Sequence, residues 1–189
     1  VLFNMFSMFV GGSKTYKDSI VNVFLKVFNE MQGYCGAMPF LADLERRLNE
    51  EGRYEEFKQK FEENYGDAWM DSRQDFDFIQ DDIVDTLVDM DFMSEAAARN
   101  WCEKAAEPYK ISIEDFAKRV KAYIDRKGNN HHVAFLVDEV GQYIGDDSNL
   151  MLNLQTVREE LGKECNGNAW VSVTSQQDID SITKVKGND

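Results

Sequence analysis

Cysteine and proline are few in this sequence of 189 residues, which has 3 Cys and 2 Pro, and its 21 Lys plus Arg do not balance its acidic residues. The cysteines Cys35, Cys102 and Cys165 lie far apart, form no Cys-x-x-Cys pair, and are odd in number, so they cannot close a full disulfide set. A reducing, cytoplasmic setting fits this usage best. The apolar start, residues 1–10, has no basic leader and is shorter than the roughly 20 residues of a membrane helix. We therefore predict a buried strand there and no membrane association.

An excess of acidic residues makes the chain strongly acidic, because 35 Asp plus Glu against 21 Lys plus Arg give a formal net charge of −14. Nucleic-acid binding begins with clustered Lys and Arg, so we do not expect this chain to bind nucleic acid directly. The acid is concentrated between Asp43 and Glu95, where 18 acidic and 6 basic residues give a net charge of −12. Two interpretations of this region remain open: a solvated helical surface, or a docking face for a basic partner.

The spacing of apolar residues predicts a strand and a helix first, and then a long helical block. Residues 1–5 form a compact apolar run that is followed by glycines, which is typical of a strand and a loop. Apolar residues then recur every three or four positions as far as Gly33, as on one face of a helix. The same spacing continues beyond Pro39, and Ser94 and Ser112 are placed to cap two of these helices.

The sequence pattern changes from helical spacing to β-strand runs after residue 130. Val133 to Val137 (VAFLV) is a continuous apolar run rich in β-branched residues, which is typical of a strand buried on both faces of a parallel sheet. A helical pattern follows, and then a second β run from Ala169 to Val173 (AWVSV). A strand, a helix and a strand within about forty residues form a crossover unit, and such units are nearly always parallel and right-handed.

Polar residues follow both of these strands. Asp138 and Glu139 end the first strand, and Thr174, Ser175 and Gln176 end the second. Open parallel sheets bind their ligands at the carboxyl ends of their strands, so this edge is the candidate site.

An apolar strand that ends in Asp-Glu is the pattern of a Walker B motif. In that chemistry the first carboxylate, here Asp138, holds Mg²⁺, and the second, Glu139, orients or deprotonates the attacking water. Thr174, Ser175 and Gln176 occupy the position at which related ATPases sense the γ-phosphate. The alternatives are that the carboxylates merely solvate a strand end and that the second set forms a helix cap or turn.

The glycine-rich phosphate loop of such ATPases is missing from this sequence. Its pattern is G-x-x-x-x-G-K-[ST], and the nearest stretch, Gly11 to Thr15 (GGSKT), has Ser between Gly and Lys and no upstream Gly. We interpret Lys14 as a solvated loop residue. The adjacent His131 and His132 are predicted to point to opposite faces of their strand, which disfavours a zinc site.

Three stretches of this sequence resemble the BREX phage-defence P-loop ATPase family, of the BrxC or PglY type. They are Phe135 to Gly145 (FLVDEVGQYIG), Leu150 to Leu161 (LMLNLQTVREEL) and Ala169 to Gln176 (AWVSVTSQ). Phe28 to Glu45 (FNEMQGYCGAMPFLADLE) and the opening VLFN resemble the same family's upstream segment. The resemblance therefore covers nearly the whole chain.

The resemblance implies a very large cytoplasmic ATPase that binds ATP and Mg²⁺. Its partners would be other phage-defence proteins, including a DNA methyltransferase. By resemblance, Asp138 is the Mg²⁺ carboxylate, Glu139 is the catalytic glutamate, and Ser175 or Gln176 is the sensor. The family's phosphate loop would lie upstream of Val1, so we expect this chain to be an internal fragment that is inactive by itself.

We therefore predict an α/β fold: a partial P-loop NTPase of the additional-strand type, with a short parallel sheet and a long helical insertion. Residues 1–33 would supply a strand and a helix, residues 34–130 the acidic insertion, and residues 131–189 the Walker B strand, crossover helix and sensor strand. The rival hypothesis is an acidic helical interaction module with a vestigial nucleotide site.

The family's strand order makes a further prediction about the sheet. Val133 to Val137 should lie between residues 1–5 and Ala169 to Val173, with all three strands parallel. The outer edge of Ala169 to Val173 would then be bare. We expect this edge to pair with a strand of a neighbouring molecule, for example in a symmetric edge-to-edge dimer. The alternative is that residues 175–189 cover it.

Overall fold

The computed structural model describes residues 2–4, 19–128, 130–138 and 148–174. The chain divides into two compact units. We call Val1–Phe28 with Lys110–Asp189 the sheet unit, and Asn29–Tyr109 the acidic helical unit. Within the described ranges, no helix is both long and apolar enough to cross a membrane.

The sheet unit contains a parallel sheet whose three described strands are β1 (Leu2–Asn4), β2 (Val133–Asp138) and β3 (Ala169–Val173). β2 lies in the centre and pairs with β1 on one side and with β3 on the other, parallel in both cases. The register places Leu2 beside Leu136 and Val133 beside Ala169. The predicted central position of Val133 to Val137 and the predicted parallel order are confirmed. The fold is therefore mixed α/β, with a short parallel sheet in a mostly helical chain.

Three helices accompany the sheet: α1 (Ser19–Met31), α7 (Ile113–Lys127) and α8 (Ser148–Glu164). An aromatic cluster joins two of them to β2, because Phe135 packs on Phe24 of α1 at 5.1 Å and on Phe116 of α7 at 5.9 Å between ring centroids. Phe24, Phe116 and Phe135 are fully buried. The predicted cap of α7 is present, since Ser112 Oγ accepts a hydrogen bond of 3.0 Å from the Asp115 backbone N–H.

The prediction that β2 is buried on both faces is wrong. Val133, Phe135 and Val137 are buried, but Leu136 on the opposite face is 41% exposed. Trp170 of β3, which is paired with Ala134, is 52% exposed. Alternate residues of a strand point to opposite faces, and the aromatic cluster covers the Phe135 face alone. Leu136 and Trp170 therefore lie on a face of the sheet that is open to solvent, which we call the open face.

The acidic helical unit consists of short helices joined by tight turns. Its elements are α2 (Pro39–Glu50), α3 (Tyr54–Tyr65), α4 (Trp69–Ser72), a 3₁₀ turn (Arg73–Phe78), α5 (Gln80–Asp89) and α6 (Glu95–Lys104). Gly66 closes α3 in the left-handed region at φ 99°, where a side chain would be strained. Ser94 caps α6 as predicted, because its hydroxyl accepts a hydrogen bond from the Ala97 N–H at 3.3 Å. The predicted helical block is thus present in this unit.

The core of this unit is aromatic at its centre. The Trp69 ring lies edge-on to Phe57 at 4.9 Å and to Phe61 at 5.0 Å between centroids. Edge-to-face pairs of this kind add to the free energy that comes from burying the rings. Leu41, Leu48 and other apolar residues of α2, α5 and α6 complete the same cluster.

The compact acidic unit differs in its limits from the predicted insertion, which was placed at residues 34–130. It begins at Asn29 and ends at Tyr109, and Lys110–Asp189 belongs to the sheet unit. The difference is mainly α7, which lies within the predicted insertion but belongs to the sheet unit. Its Phe116 packs on Phe135 of the sheet, a contact that helical spacing alone does not predict.

One buried carboxylate connects four parts of the acidic helical unit. Glu45 of α2 is fully buried and accepts hydrogen bonds from the Cys35 backbone N–H (2.5 Å), the Tyr54 hydroxyl (2.8 Å) and Trp69 Nε1 (2.8 Å). Arg73 Nη1 donates to the same carboxylate at 2.7 Å and balances its charge. Burial and the neighbouring Glu45 carboxylate raise the pKa of Tyr54, so its hydroxyl keeps the proton that it donates. A buried carboxylate is tolerated only with such partners.

Replacing Glu45 should strongly destabilise the acidic helical unit. Glu45→Ala leaves the Arg73 charge without its partner and removes the acceptor of three other donors, so we expect a loss of about 3–5 kcal/mol in the free energy of unfolding. Urea denaturation followed by circular dichroism measures it. Glu56→Gln, which changes an exposed carboxylate paired with Arg53, should leave the midpoint unchanged. Equal effects of the two substitutions would contradict the central role of Glu45.

The three cysteines should be unreactive in the folded protein. All three are buried free thiols, and burial raises the pKa of Cys35 and raises those of Cys102 and Cys165 to about 11. Because the thiolate is the reactive form, we expect slow modification by a disulfide reagent at pH 8 and rapid modification of all three thiols in denaturant. Fast labelling of any one thiol under native conditions would contradict this.

Candidate functional site

The carboxyl ends of the three parallel strands lie at one edge of the sheet, although the strands come from distant parts of the sequence. β1 ends at Asn4, which is in register with Asp138, the last residue of β2. β3 ends at Val173, in register with Val137, and Thr174 follows it. Asn4, Asp138 and Thr174 therefore share the carboxyl edge, where open parallel sheets bind their ligands.

Asp138 and Thr174 are in direct contact at this edge. The Thr174 hydroxyl donates a hydrogen bond to Asp138 Oδ1. The Thr174 backbone N–H donates to the Val137 carbonyl at 2.9 Å, so the pairing of β2 and β3 continues for one residue beyond β3. Asp138 is half-buried and Thr174 is exposed. The backbone bond fixes the threonine beside the carboxylate, and the side-chain bond then orients the carboxylate.

This contact brings together two of the residues predicted as a site, one from each strand. The remaining predicted residues, Glu139, Ser175 and Gln176, lie outside the described residues. Gly11 to Thr15 lies outside them as well. Of the predicted site residues, Asp138 and Thr174 are therefore the two whose positions the structure describes.

The donor set at the edge suits a hard cation. Carboxylate and hydroxyl oxygens are the ligand types of Mg²⁺, which binds through one or two carboxylates and completes its shell with water and phosphate oxygens. Among the described residues, no three His, Cys, Asp or Glu side chains are grouped closely enough to hold a metal without other ligands. Of the described residues at this edge, Asp138 is the one whose carboxylate could hold such a cation.

The two histidines at the start of β2 pack on different aromatic residues. The His131 ring lies 5.3 Å from the ring of Tyr123 in α7, at an interplanar angle of 72°. His132 stacks on Trp170 of β3 at 5.0 Å and 24°. The two rings thus have different neighbours, one on a helix and the other on a strand.

The position of Asn4 at this edge was not predicted from the sequence. The apolar run at residues 1–5 predicts a strand but not that Asn4 is in register with Asp138. The signal was available, because VLFN changes from apolar to polar at Asn4, as β2 does at Asp138. Register, however, depends on pairing between strands that are more than a hundred residues apart.

No model of a known protein family matches this chain, and no solved structure matches it. The geometry of the carboxyl edge and the residues themselves therefore carry the functional argument.

The bond between Thr174 and Asp138 can be tested by removing the hydroxyl. Thr174→Val keeps the shape of the side chain but not the donor, so we expect a loss of about 1 kcal/mol in the free energy of unfolding and a change in the carboxyl ¹³C shift of Asp138. Thr174→Ser keeps the hydroxyl and should preserve that shift. If valine left the Asp138 signal in place, the proposed contact would be absent in solution.

Proposed function

We propose that this chain supplies the carboxylate side of an ATP-hydrolysing site in a P-loop ATPase of the BREX phage-defence type. The observation that carries the proposal is the contact between Asp138 and Thr174 at the carboxyl ends of two neighbouring parallel strands. An acidic strand end whose carboxylate is oriented by the next strand is the arrangement expected of a Walker B strand beside a sensor strand.

The order of the strands supports the same proposal. In additional-strand P-loop ATPases the Walker B strand lies between the second strand and the strand that ends in the sensor. Here β2 lies between β1 and β3, with all three parallel. On this proposal the other edge of β3, which has no partner strand among the described residues, would pair with the strand that precedes a phosphate loop or with another molecule.

Each residue of the edge has a distinct role on this proposal. Asp138 would hold Mg²⁺, and Thr174 would keep that carboxylate in one orientation. The cation, when bound, neutralises negative charge on the β- and γ-phosphates. Glu139 would accept a hydrogen bond from the attacking water, and Ser175 or Gln176 would contact the γ-phosphate. Resemblance alone supplies the roles of these last three residues.

The setting of the activity also rests on the resemblance. The BREX family implies a large cytoplasmic ATPase that works with other phage-defence proteins, among them a DNA methyltransferase. The sequence of this chain contains no G-x-x-x-x-G-K-[ST] motif, so a phosphate loop would have to come from elsewhere in the protein.

A second function, docking of a basic partner, is favoured by the position of the charge. The acidic helical unit contains 21 Asp plus Glu and 8 Lys plus Arg, a net charge of −13. The sheet unit carries the remaining 14 acidic and 13 basic residues, a net charge of −1. Confining nearly all net charge to one unit is expected if that unit binds a basic partner while the other carries the nucleotide chemistry.

Two substitutions in a full-length protein that includes a phosphate loop should separate the carboxylate roles. Glu139→Gln removes the group that acts on water, so hydrolysis should fall at least about 100-fold while ATP stays bound. Asp138→Ala removes the cation ligand, so Mg²⁺-dependent ATP binding itself should weaken. Phosphate release and the binding of a fluorescent ATP analogue measure the two effects.

Asp81→Asn provides a control for that pair, because it changes an exposed carboxylate of the acidic helical unit that pairs with Arg99. We expect normal binding and hydrolysis in this variant. Normal hydrolysis by Glu139→Gln would show that the catalytic assignment is wrong.

A further inference from the structure

Phe78 is the most exposed large apolar side chain of the described residues. It ends the 3₁₀ turn of the acidic helical unit and is 88% exposed. A phenylalanine left in water forgoes the favourable free energy that burial of its ring would provide. Aromatic side chains are also enriched at the centres of protein interfaces.

The residues beside Phe78 hold it rigidly on the surface. Phe76 is buried, with its ring 4.8 Å from Phe40 and 5.9 Å from Trp101 between centroids. Ile79 is fully buried, and its N–H donates to the Phe76 carbonyl at 3.2 Å. Because Phe76, two residues before Phe78, and Ile79, the residue after it, are both buried in the core, the backbone at Phe78 loses little freedom when a partner covers the ring.

Carboxylates flank this ring in the sequence on both sides. Asp75 and Asp77 precede it in the same turn, and Asp82 and Asp85 follow it on α5, one turn apart on the same face of the helix. Among the residues that the structure describes, none of these four carboxylates forms an ion pair. By contrast, the neighbouring Asp81 pairs with Arg99 at 2.9 Å. We call Phe78 with Asp75, Asp77, Asp82 and Asp85 the Phe78 surface.

We propose that the Phe78 surface docks a basic amphipathic segment of a partner protein. Apolar side chains of the segment cover the phenylalanine ring, and Lys or Arg side chains beside them pair with the four carboxylates. This inference rests on the second function proposed above and names the surface through which it operates. It is independent of ATP hydrolysis.

Charge complementarity selects this occupant over others. A nucleic acid or an anionic membrane carries the same sign of charge as the surface and is repelled. A second copy of this chain would place four carboxylates against four, which is also repulsive. A partner that is basic but not apolar would pair with the carboxylates and leave Phe78 in water.

The two parts of the surface have different effects on binding. The ring, once covered, is removed from water and should act mainly on the rate of dissociation. The carboxylates remain at the rim, where they steer association and make it dependent on salt. Substitutions at the two kinds of position are therefore distinguishable.

The experiment uses two synthetic peptides of equal positive charge. One is a helix-forming peptide with leucine on one face and lysine on the other, and its companion has glutamine in place of every leucine. Binding to the whole chain is measured by fluorescence anisotropy at about 150 mM salt, close to the physiological ionic strength. We expect the leucine peptide to bind at least about tenfold more tightly than the glutamine peptide, because it alone covers the ring.

Phe78→Ala should weaken binding of the leucine peptide about tenfold or more and leave binding of the glutamine peptide unchanged. The control is Leu152→Ala, which removes another exposed apolar side chain, 60% exposed, from the sheet unit. It should not change either affinity. The thermal midpoint of Phe78→Ala should match that of the unsubstituted protein, since the ring is barely buried.

A second comparison removes charge at two places. Asp75→Asn with Asp77→Asn should weaken binding of the leucine peptide more than Glu62→Gln with Glu63→Gln. The latter pair lies at the end of α3, where Asn64 bonds Asp89 at the far end of α5. Both double variants change net charge by the same amount, so a difference reports position.

Two results would overturn the inference in different ways. If the leucine peptide binds but Phe78→Ala has no effect, the Phe78 surface is not where the partner docks, and the acidic docking function stands. If neither peptide binds the unsubstituted chain, the docking function itself fails. Equal effects of the two charge-removing variants would also refute the named surface.

Discussion

The buried ion pair between Glu45 and Arg73 is the constraint on which the acidic helical unit depends. A carboxylate with no exposure to solvent has lost its hydration, so its partners must replace the water completely. Those partners come from the loop before α2, from α3, from α4 and from the 3₁₀ turn, and all of them meet at one side chain. The short helices are thereby held in one arrangement, which their individual lengths would not ensure.

That arrangement extends to the surface. Arg73 begins the 3₁₀ turn, and the same turn ends at Phe78. Arg73 bonds the buried carboxylate and Phe76 packs in the aromatic core, so two anchored residues precede Phe78 within this segment. The buried ion pair and the exposed ring thus stand at the two ends of one short segment, Arg73–Phe78.

The features that could be predicted from the sequence depend on residues close together in the chain, or on the general rule that parallel strands end at one edge of a sheet. The caps at Ser94 and Ser112 follow from short-range bonding, and the shared edge of Asp138 and Thr174 follows from two parallel strands ending there, although the hydrogen bond between them was not predicted. The apolar run of β2 was misread, because hydrophobicity alone does not tell whether anything covers a face, and Leu136 remains exposed. Glu45 could not be chosen among 35 acidic residues, since its burial arises from tertiary packing.

The tryptophans have a practical consequence that follows from the division into two units. Trp69 is buried beside Glu45 and Trp101 packs on Phe76, both in the acidic helical unit, whereas Trp170 lies on the open face of the sheet unit. Indole emission shifts with the polarity of its surroundings, so the buried and exposed rings emit at different wavelengths. Intrinsic fluorescence therefore reports mainly on the acidic helical unit, whose loss of structure exposes buried indole rings and can be followed without a label.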